Sequence, residues 1–337
     1  MAEKVRVGII GAGTIAQIAH IPSFRKAKNC ELAALADRNE SKLKHLGDRY
    51  GIPHVYLDYQ ELIRSDELDA VVICTPTYLH APMALEAFDY GKHVFCEKPL
   101  ALNAGSAREL VSAARKAGRL LMVGLNYRFR PDAQLLKRLI DENELGDIYY
   151  MKTGWLQRMT HTAMDSWKYR KKGAGGGALL NLAVHMIELV LWFGEKKKVV
   201  AVDSLIYRRS KEEEVEDSAF VLLKFDDDSS ATVEVSWTLI YEKDLTYLNV
   251  FGTEGAALLH PLRIHRLMLG NPVNVTPQLR SVGNPFKVSY DLEASHFIEC
   301  IIKGEQPFTP GEDGVLIAEI IDAAYSSSSA GKEVRLD

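Results

Sequence analysis

The sequence predicts two domains: a doubly wound parallel α/β sheet over residues 1–124, and an α+β domain with an open, mainly antiparallel sheet over residues 125–337. The chain has 337 residues, which exceeds the usual size of one hydrophobic core. In the first part, short apolar strands alternate with helix-compatible segments, as in parallel sheets. In the second part, residues 231–239 alternate between apolar and polar side chains, as in an antiparallel strand with one buried face.

The first strand and the turn after it predict a dinucleotide site. Val5–Ile10 is a compact apolar strand that runs into the pattern G-x-G-x-x-A and then a helix-compatible segment. In this pattern the first glycine permits a tight turn, the second lets the backbone approach a pyrophosphate, and the last alanine allows close helix–strand packing. The turn residues are Gly11, Ala12, Gly13, Thr14, Ile15 and Ala16.

The second strand predicts which cofactor binds. Residues 31–36 form an apolar strand that ends in Asp37, where an acid accepts a hydrogen bond from the ribose 2′-hydroxyl of NAD and repels a 2′-phosphate. Arg38 beside it could stack on adenine or accommodate NADP. We therefore expect NAD, with NADP as the alternative. A helix pattern follows at Glu40–Tyr50.

The loop after the next buried strand is a further cofactor candidate. Residues 70–74 are apolar and lead into Thr75, Pro76 and His80, which lie at the carboxyl end of a strand, where ligands bind in open parallel sheets. These three residues are therefore candidates for the nicotinamide side of the cofactor. For His80, an equally good interpretation is a residue at a helix start that packs under the helix.

The next strand, residues 92–96, ends in Glu97, Lys98 and Pro99. Pro99 disfavours helical geometry at Lys98, so the chain turns and Lys98 lies at a strand's carboxyl end. Partial desolvation lowers the pKa of a lysine from about 10.4 toward the range of an acid–base catalyst. An isolated Glu-Lys-Pro is most simply a surface turn, but the preceding loops favour a proton-handling lysine. A helix pattern at Ala104–Ala117 follows.

Together these motifs resemble the Gfo/Idh/MocA family, which includes glucose-fructose oxidoreductase and inositol 2-dehydrogenase. The matching features are the glycine turn, Asp37, the loop from Thr75 to His80, and the Glu97-Lys98-Pro99 signature. The resemblance implies a Rossmann domain, with Glu97 and Lys98 next to the cofactor. It also implies that Lys98 contacts the oxygen of the reacting substrate carbon and takes part in proton transfer.

The crossover into the second domain supplies further candidates. Residues 126–131 resemble the family's crossover segment, and Tyr127 or Arg128 could reach the substrate cleft; Arg128 is counted as a cofactor-binding candidate. For Arg130, pairing with a carboxylate at the domain boundary is at least as good an interpretation.

A second glycine loop, residues 173–177, precedes an apolar helix that carries Asn181 and His185. The two lie four residues apart and share one helix face. A lone histidine there is usually a core residue, but relatives carry an Asp-x-x-x-His pair that joins the lysine around the substrate, so the resemblance implies catalytic roles for both. Asn181 replaces the aspartate, and an amide cannot exchange a proton. An amide is also a poor transition-metal ligand, so no metal site is expected.

Composition limits the partners and the compartment. The formal net charge is −4, and the sequence has no basic run, which argues against nucleic acid or an anionic membrane as the main partner. The four cysteines show no C-x-x-C spacing, which favours a reducing cytoplasm. The apolar residues 178–193 are too short for a membrane span and contain Glu188. We therefore expect a cytoplasmic protein with a small-molecule substrate.

The resulting hypothesis is an NAD(P)-dependent oxidoreductase that moves hydride between nicotinamide and a secondary alcohol or ketone of a sugar, cyclitol or related polyol. One alternative, a role of some relatives, is a redox-assisted lyase or glycosidase with tightly bound NAD. The other is a non-catalytic dinucleotide-binding regulator, which the Asn181 replacement keeps open. Substrate identity is expected to depend on side chains around Trp155, His161, Trp167 and Tyr169.

The C-terminal half adds two expectations. Strand patterns at Val199–Tyr207 and Gly255–Leu259 belong to the predicted open sheet. Residues 251–255 resemble a turn that is common in the open sheet of the family. In relatives the polar face of that sheet often forms a subunit interface, so the resemblance implies a homodimer or homotetramer. Tyr325, on the last predicted helix, is expected to fold back near the cofactor.

Overall fold

The computed structural model describes residues 4–159, 167–194, 197–210, 213–278 and 283–336. The chain forms two compact units: unit 1 comprises Met1–Phe129 and Gly283–Ala318, and unit 2 comprises Arg130–Val282 and Glu319–Asp337. The sequence-based division at Gly124 assigned residues 125–337 to the second domain, with the C-terminal helices expected to pack back on the first. Residues 283–318 return to unit 1.

The strands are β1 (Val5–Ile10), β2 (Cys30–Ala36), β3 (His54–Tyr56), β4 (Ala70–Ile73), β5 (His93–Glu97), β6 (Leu121–Gly124), β7 (Ile148–Arg158), β8 (Val199–Tyr207), β9 (Ser218–Phe225), β10 (Ser230–Leu239), β11 (Leu245–Gly252), β12 (Gly255–Leu259), β13 (Leu262–Met268), β14 (Asn271–Asn274) and β15 (Val334–Arg335). The helices are α1 (Ile21–Lys26), α2 (Glu40–Tyr50), α3 (Tyr59–Ile63), α4 (His80–Asp89), α5 (Ala104–Ala117), α6 (Pro131–Asp141), α7 (Lys171–Ala174), α8 (Val184–Phe193), α9 (Pro285–Lys303) and α10 (Gly311–Ala330). Two π-helical turns are Ala16–His20 and Leu179–Ala183, and 3-10 turns are Thr77–Leu79, Asn126–Phe129 and Trp167–Tyr169.

Unit 1 contains a six-stranded sheet in the order β3-β2-β1-β4-β5-β6, with every pair parallel. The order reverses between β1 and β4, which is the point where doubly wound sheets bind ligands at the carboxyl ends of their strands. This arrangement confirms the predicted fold class. It also brings the carboxyl ends of β1, β4 and β5 side by side.

The core of unit 1 is built from apolar strands covered by helices. Phe24, Phe95 and Phe297 are fully buried and meet edge to face, with ring centroids 5.7 to 6.4 Å apart. Full burial of such a side chain stabilises the fold by about 1.5–3 kcal/mol. Because Phe297 lies on α9, this cluster attaches the returning segment to β5 and α1.

Unit 2 contains a nine-stranded sheet in the order β14-β13-β12-β11-β7-β10-β9-β8-β15. The β7–β10 pair is parallel and the other neighbours are antiparallel, which confirms the mainly antiparallel prediction. α8 packs against β7 and β10 and is buried along most of its length. By length and composition the helical stretch Lys171–Phe193 could span a membrane, but 89% of its apolar window is buried inside the protein, as in the core helix of a globular fold.

Candidate active site

The glycine turn after β1 is built for close approach of a ligand. Gly11 has a φ of +95°, and a Cβ there would lie 2.8 Å from the carbonyl oxygen of Cys74, so glycine is required. At Gly13 the nearest atom to an added Cβ is 4.0 Å away, which leaves its outer side open. Ala16 is fully buried where the helical segment meets the sheet, while Thr14 is exposed and Ile15 is half-buried.

Asp37 connects the glycine turn to α2. Its Oδ2 accepts a hydrogen bond from the backbone N–H of Ala12 at 2.8 Å, and its Oδ1 accepts from that of Asn39 at 2.9 Å. Each carboxylate oxygen has a second lone pair, so the group keeps capacity to accept from ribose hydroxyls. Lys42 Nζ lies 4.0 Å from Oδ2, and Arg38 is exposed. These residues fit a dinucleotide.

His80 links the loop after β4 to the loop after β5. Its ring is buried at the start of α4, with Nδ1 2.8 Å from the carbonyl oxygen of Pro99 and Nε2 2.8 Å from that of Thr75. Burial lowers the pKa of His80, although the two carbonyls favour its protonation. These contacts support the packing interpretation, and Thr75 and Pro76 are half-buried.

Lys98 lies directly after β5, with a half-buried side chain. Its backbone N–H donates to Oε2 of Glu97 at 3.0 Å, and the Lys98–Pro99 peptide is cis. Burial lowers the pKa of Lys98 below its usual value, while the negative charge of Glu97 opposes this effect. A lysine with a lowered pKa at a strand's carboxyl end suits proton exchange with a substrate oxygen.

Glu97 is a buried carboxylate with a histidine partner that sequence reasoning missed. Its Oε1 lies 2.6 Å from Nε2 of His20, and both side chains are more than 90% buried. Burial raises the pKa of Glu97, but the hydrogen bond and charge of His20, with help from Lys98, outweigh it and give a net lowering. In the sequence, the sole signal for His20 is a polar residue inside the apolar stretch from Ile15 to Ile21.

Arg128 is engaged within unit 1. Its Nη1 donates to Asp313 Oδ2 at 2.7 Å and to the carbonyl oxygen of Phe308 at 2.9 Å, and the guanidinium is 5.3 Å from the Phe308 ring centroid. These contacts give Arg128 a structural role in attaching the returning segment. In unit 2, Arg130 pairs with Asp132 at 2.7 Å, as the carboxylate-pairing interpretation expected. Tyr127 is half-buried.

In unit 2, Asn181 and His185 follow the second glycine loop. Asn181 lies in the π-helical turn and is half-buried, whereas His185 lies in α8 and is buried. The His185 ring is 5.7 Å from the Trp155 ring, centroid to centroid. Tyr169 packs edge to face on Trp237 at 5.4 Å, and Trp167 is 41% exposed. His161 lies outside the described residues.

Glu216 holds the start of the helical segment that carries Asn181, and sequence reasoning missed it. Its buried Oε1 accepts from the backbone N–H of Gly177 at 2.8 Å, from that of Leu179 at 2.9 Å, and from the hydroxyl of Tyr325 at 2.9 Å. A Cβ at Gly177 would lie 1.8 Å from the Glu216 carbonyl oxygen, which explains that glycine. Burial raises the pKa of Glu216 despite these donors.

Tyr325 therefore has a defined place in unit 2. Besides its bond to Glu216, its hydroxyl oxygen would lie 1.9 Å from a Cβ at Gly176. The sequence predicts that Tyr325 folds back near the cofactor. Its contacts in unit 2 are with the second glycine loop and with Glu216. Among the residues that the structure describes, no group of three or more His, Cys, Asp or Glu side chains is arranged to hold a metal ion.

The glycine turn, the acid after β2 and the lysine after β5 together define the class of NAD-binding oxidoreductases. Family models agree: that of an oxidoreductase family with an NAD-binding Rossmann fold matches residues 5–125, and that of its C-terminal alpha/beta domain matches residues 137–336. The chain belongs to this family, the Gfo/Idh/MocA oxidoreductases. The predictions of the family, the Rossmann domain and NAD are thereby confirmed.

Relatives of known name match over almost the whole chain. D-Glucoside 3-dehydrogenase of Escherichia coli is 28% identical, over 99% of this chain and 98% of its own. Myo-inositol 2-dehydrogenase of Thermotoga maritima is 26% identical, over 99% of both chains. Among solved structures, levoglucosan dehydrogenase in complex with NADH superposes with a TM-score of 0.92 at 23% identity, covering 99% of both chains, which shows the shared fold.

Proposed function

We propose that this protein is an NAD-dependent dehydrogenase that interconverts a secondary alcohol and a ketone on a sugar, cyclitol or related polyol, with NADP as a weaker cofactor. The observation that carries the proposal is Lys98, a half-buried lysine with a lowered pKa. It lies at the carboxyl end of β5, which is next but one to the strand β1 that precedes the glycine turn. The named relatives act on a glucoside and on an inositol, which supports the substrate class.

NAD, when bound, supplies the hydride acceptor for the reaction. Gly11, Gly13 and Asp37 bind and orient it. In oxidation, neutral Lys98 accepts the proton of the reacting hydroxyl, and in reduction lysinium donates it; such acid–base help is typically worth about 100- to 10,000-fold in rate. His185 supplies a hydrogen bond to a substrate hydroxyl. Asn181 orients a hydroxyl but moves no proton, because an amide does not titrate.

The test is coenzyme reduction screened against a panel of sugars and cyclitols with both NAD and NADP. With the best substrate, Lys98→Met should lower turnover by about 100- to 10,000-fold while NADH affinity, measured by fluorescence titration, stays nearly unchanged. Lys92→Met is a matched control, because Lys92 is a buried lysine at the other end of the same strand, bonded to the carbonyls of Ser65 and Leu68. Full activity of Lys98→Met would refute the assignment.

The same assay separates the alternatives. A redox-assisted lyase or glycosidase would give a burst of bound NADH with product release but no net coenzyme turnover. A non-catalytic regulator would bind dinucleotide, show no activity across the panel, and keep its biological output after Lys98→Met.

We also propose a cytoplasmic homo-oligomer that uses the outer face of the nine-stranded sheet. Leu205 and Phe220 face each other across β8 and β9 on that face and are 75% and 50% exposed. Large exposed apolar side chains on a sheet face are typical of interfaces. Light scattering after gel filtration should show a dimer or tetramer that Phe220→Glu dissociates; a monomeric wild type would contradict this.

A further inference from the structure

His20 and Glu97 form a buried polar pair behind Lys98. The Nε2–Oε1 distance is 2.6 Å, and the second oxygen of the same carboxylate accepts the backbone N–H of Lys98 at 3.0 Å. His20 lies in the π-helical turn that follows the glycine turn. One carboxylate thus joins the cofactor-binding turn to the residue after β5.

The surroundings fix the ring of His20. Its centroid lies 5.2 Å from that of Phe95 and 5.4 Å from that of Tyr290, both edge to face. A carboxylate buried to this degree is costly unless it is hydrogen-bonded, and a charged hydrogen bond of 2.6 Å is short and strong. A histidine that only filled the core would not need to contact the carboxylate of Glu97, whose other oxygen accepts the backbone N–H of Lys98.

We propose that His20 is a positioning residue for Lys98: it holds Glu97 ionised and oriented, and Glu97 in turn fixes the backbone of Lys98 and keeps a negative charge beside its amine. The proposal rests on the function proposed above. It adds a residue that does not touch substrate but acts on the residue that does.

The charges near Lys98 determine in which direction its pKa should change when His20 is lost. Without a donor at position 20, burial favours the neutral acid form of Glu97. The charge that raises the pKa of Lys98 is then lost, so burial lowers that pKa further. Loss of His20 should therefore move the titration of Lys98 to lower pH.

Other titratable groups near this pair have to be considered. Burial raises the pKa values of the neighbouring thiols and phenol and lowers that of the histidine. These groups are Cys74, Cys96, Tyr290 and His80. The charges of Glu97, of the buried Glu293 and of Tyr127 also raise the pKa of Tyr290, and Glu293 therefore requires its own control.

Four variants separate the outcomes. His20→Gln keeps a donor that can reach Glu97, His20→Asn is too short to reach it, His20→Leu has no donor, and Glu97→Gln removes the charge directly. Two controls are His93→Leu, which removes a histidine hydrogen bond from the opposite end of β5, and Glu293→Gln. Circular dichroism melting verifies that each variant is folded.

The first readout is acetylation of Lys98 as a function of pH, followed by peptide mass spectrometry on the full-length protein. We expect the midpoint in His20→Asn, His20→Leu and Glu97→Gln to fall by about 1 pH unit. It should stay unchanged in His20→Gln and in both controls. An unchanged or raised midpoint in His20→Asn or His20→Leu, or a lowered one in Glu293→Gln, would overturn the proposal. Should the leucine variant not fold, the asparagine and Glu97→Gln variants decide.

The second readout is the pH profile of kcat/KM for oxidation. His20→Asn should lower kcat by about 10- to 100-fold, because Lys98 is misplaced, and should shift the acid limb to lower pH, while KM for NAD stays within about threefold. Wild-type kinetics in His20→Asn would refute the positioning role and leave the dehydrogenase function intact. Conversely, a wild type without hydride transfer would refute that function, and the acetylation readout would still test the His20–Glu97–Lys98 connection.

Discussion

Asp37→Ser is the most direct test of the cofactor site. In the structure, the carboxylate of Asp37 accepts two backbone N–H groups, from Ala12 at 2.8 Å and Asn39 at 2.9 Å, and retains lone pairs for the ribose. A hydrogen bond to a charged acceptor contributes about 1.5–3 kcal/mol, so the loss of one ribose bond should weaken NADH binding by about 10- to 150-fold. NADPH should gain relative to NADH, because the acid no longer repels a 2′-phosphate and Lys42 lies 4.0 Å from the lost carboxylate.

The assay is fluorescence titration of NADH and NADPH on the wild type and the variant. Asn39→Ala is the control, since Asn39 caps α2 through Lys42 N at 2.9 Å and its loss weakens that helix without removing the acid. The control should keep its preference for NADH. Two results would show that Asp37 does not bind the ribose 2′-hydroxyl: an unchanged NADH affinity in Asp37→Ser, or an equal change of the NADH-to-NADPH affinity ratio in Asn39→Ala.

Three further predictions follow from the geometry. In the oxidation direction, log kcat/KM should rise with pH to a plateau below the usual lysine pKa of 10.5, because neutral Lys98 is the base; persistence of that limb in Lys98→Met would contradict it. Gly177→Ala should destabilise the fold by about 1–3 kcal/mol in thermal melting, since its Cβ would meet the Glu216 carbonyl oxygen at 1.8 Å. Gly105→Ala on the exposed side of α5 should cost less, because its Cβ would meet only a side-chain oxygen, that of Asn103, at 3.2 Å. Tyr325→Phe removes a donor from Glu216, and because this donor stabilises the carboxylate, the loss of stability should be larger at about pH 8 than at about pH 4.5; a pH-independent loss would refute it.

Much of the fold follows from local patterns. α2 and α5 begin and end where the sequence predicts, because an asparagine caps each first turn and a glycine with positive φ follows each last turn. β8 and β12 also match their predicted bounds. By contrast, β13 and β14 were missed: most of their side chains are half-buried or exposed, so apolar alternation is weak.

The functional residues also divide into those with a local sequence pattern and those without one. The glycine turn, Asp37 and Lys98 could be found because each lies at the end of an apolar strand. His20 and Glu216 could not, because their partners lie 77 and 39 residues away in the chain, and no local pattern encodes such a pairing. The C-terminal helices were expected to pack back on the first domain, but the bounds of the returning segment had no local signal, since they depend on the packing of Phe297 against Phe24 and Phe95.

Because Asn181 replaces the aspartate of relatives, the charge of Glu97 matters more for the pKa of Lys98. A lysine that serves as both base and acid needs its pKa balanced between burial, which lowers it, and a nearby negative charge, which raises it. Asn181 carries no charge at any pH, so it cannot take part in that balance, whereas Glu97 does so directly. The hydrogen bond and charge of His20, followed by those of Lys98, in turn outweigh burial and lower the pKa of Glu97. In this chain, therefore, the charge of Glu97 acts on Lys98, and the role of Glu97 next to the cofactor stays a prediction.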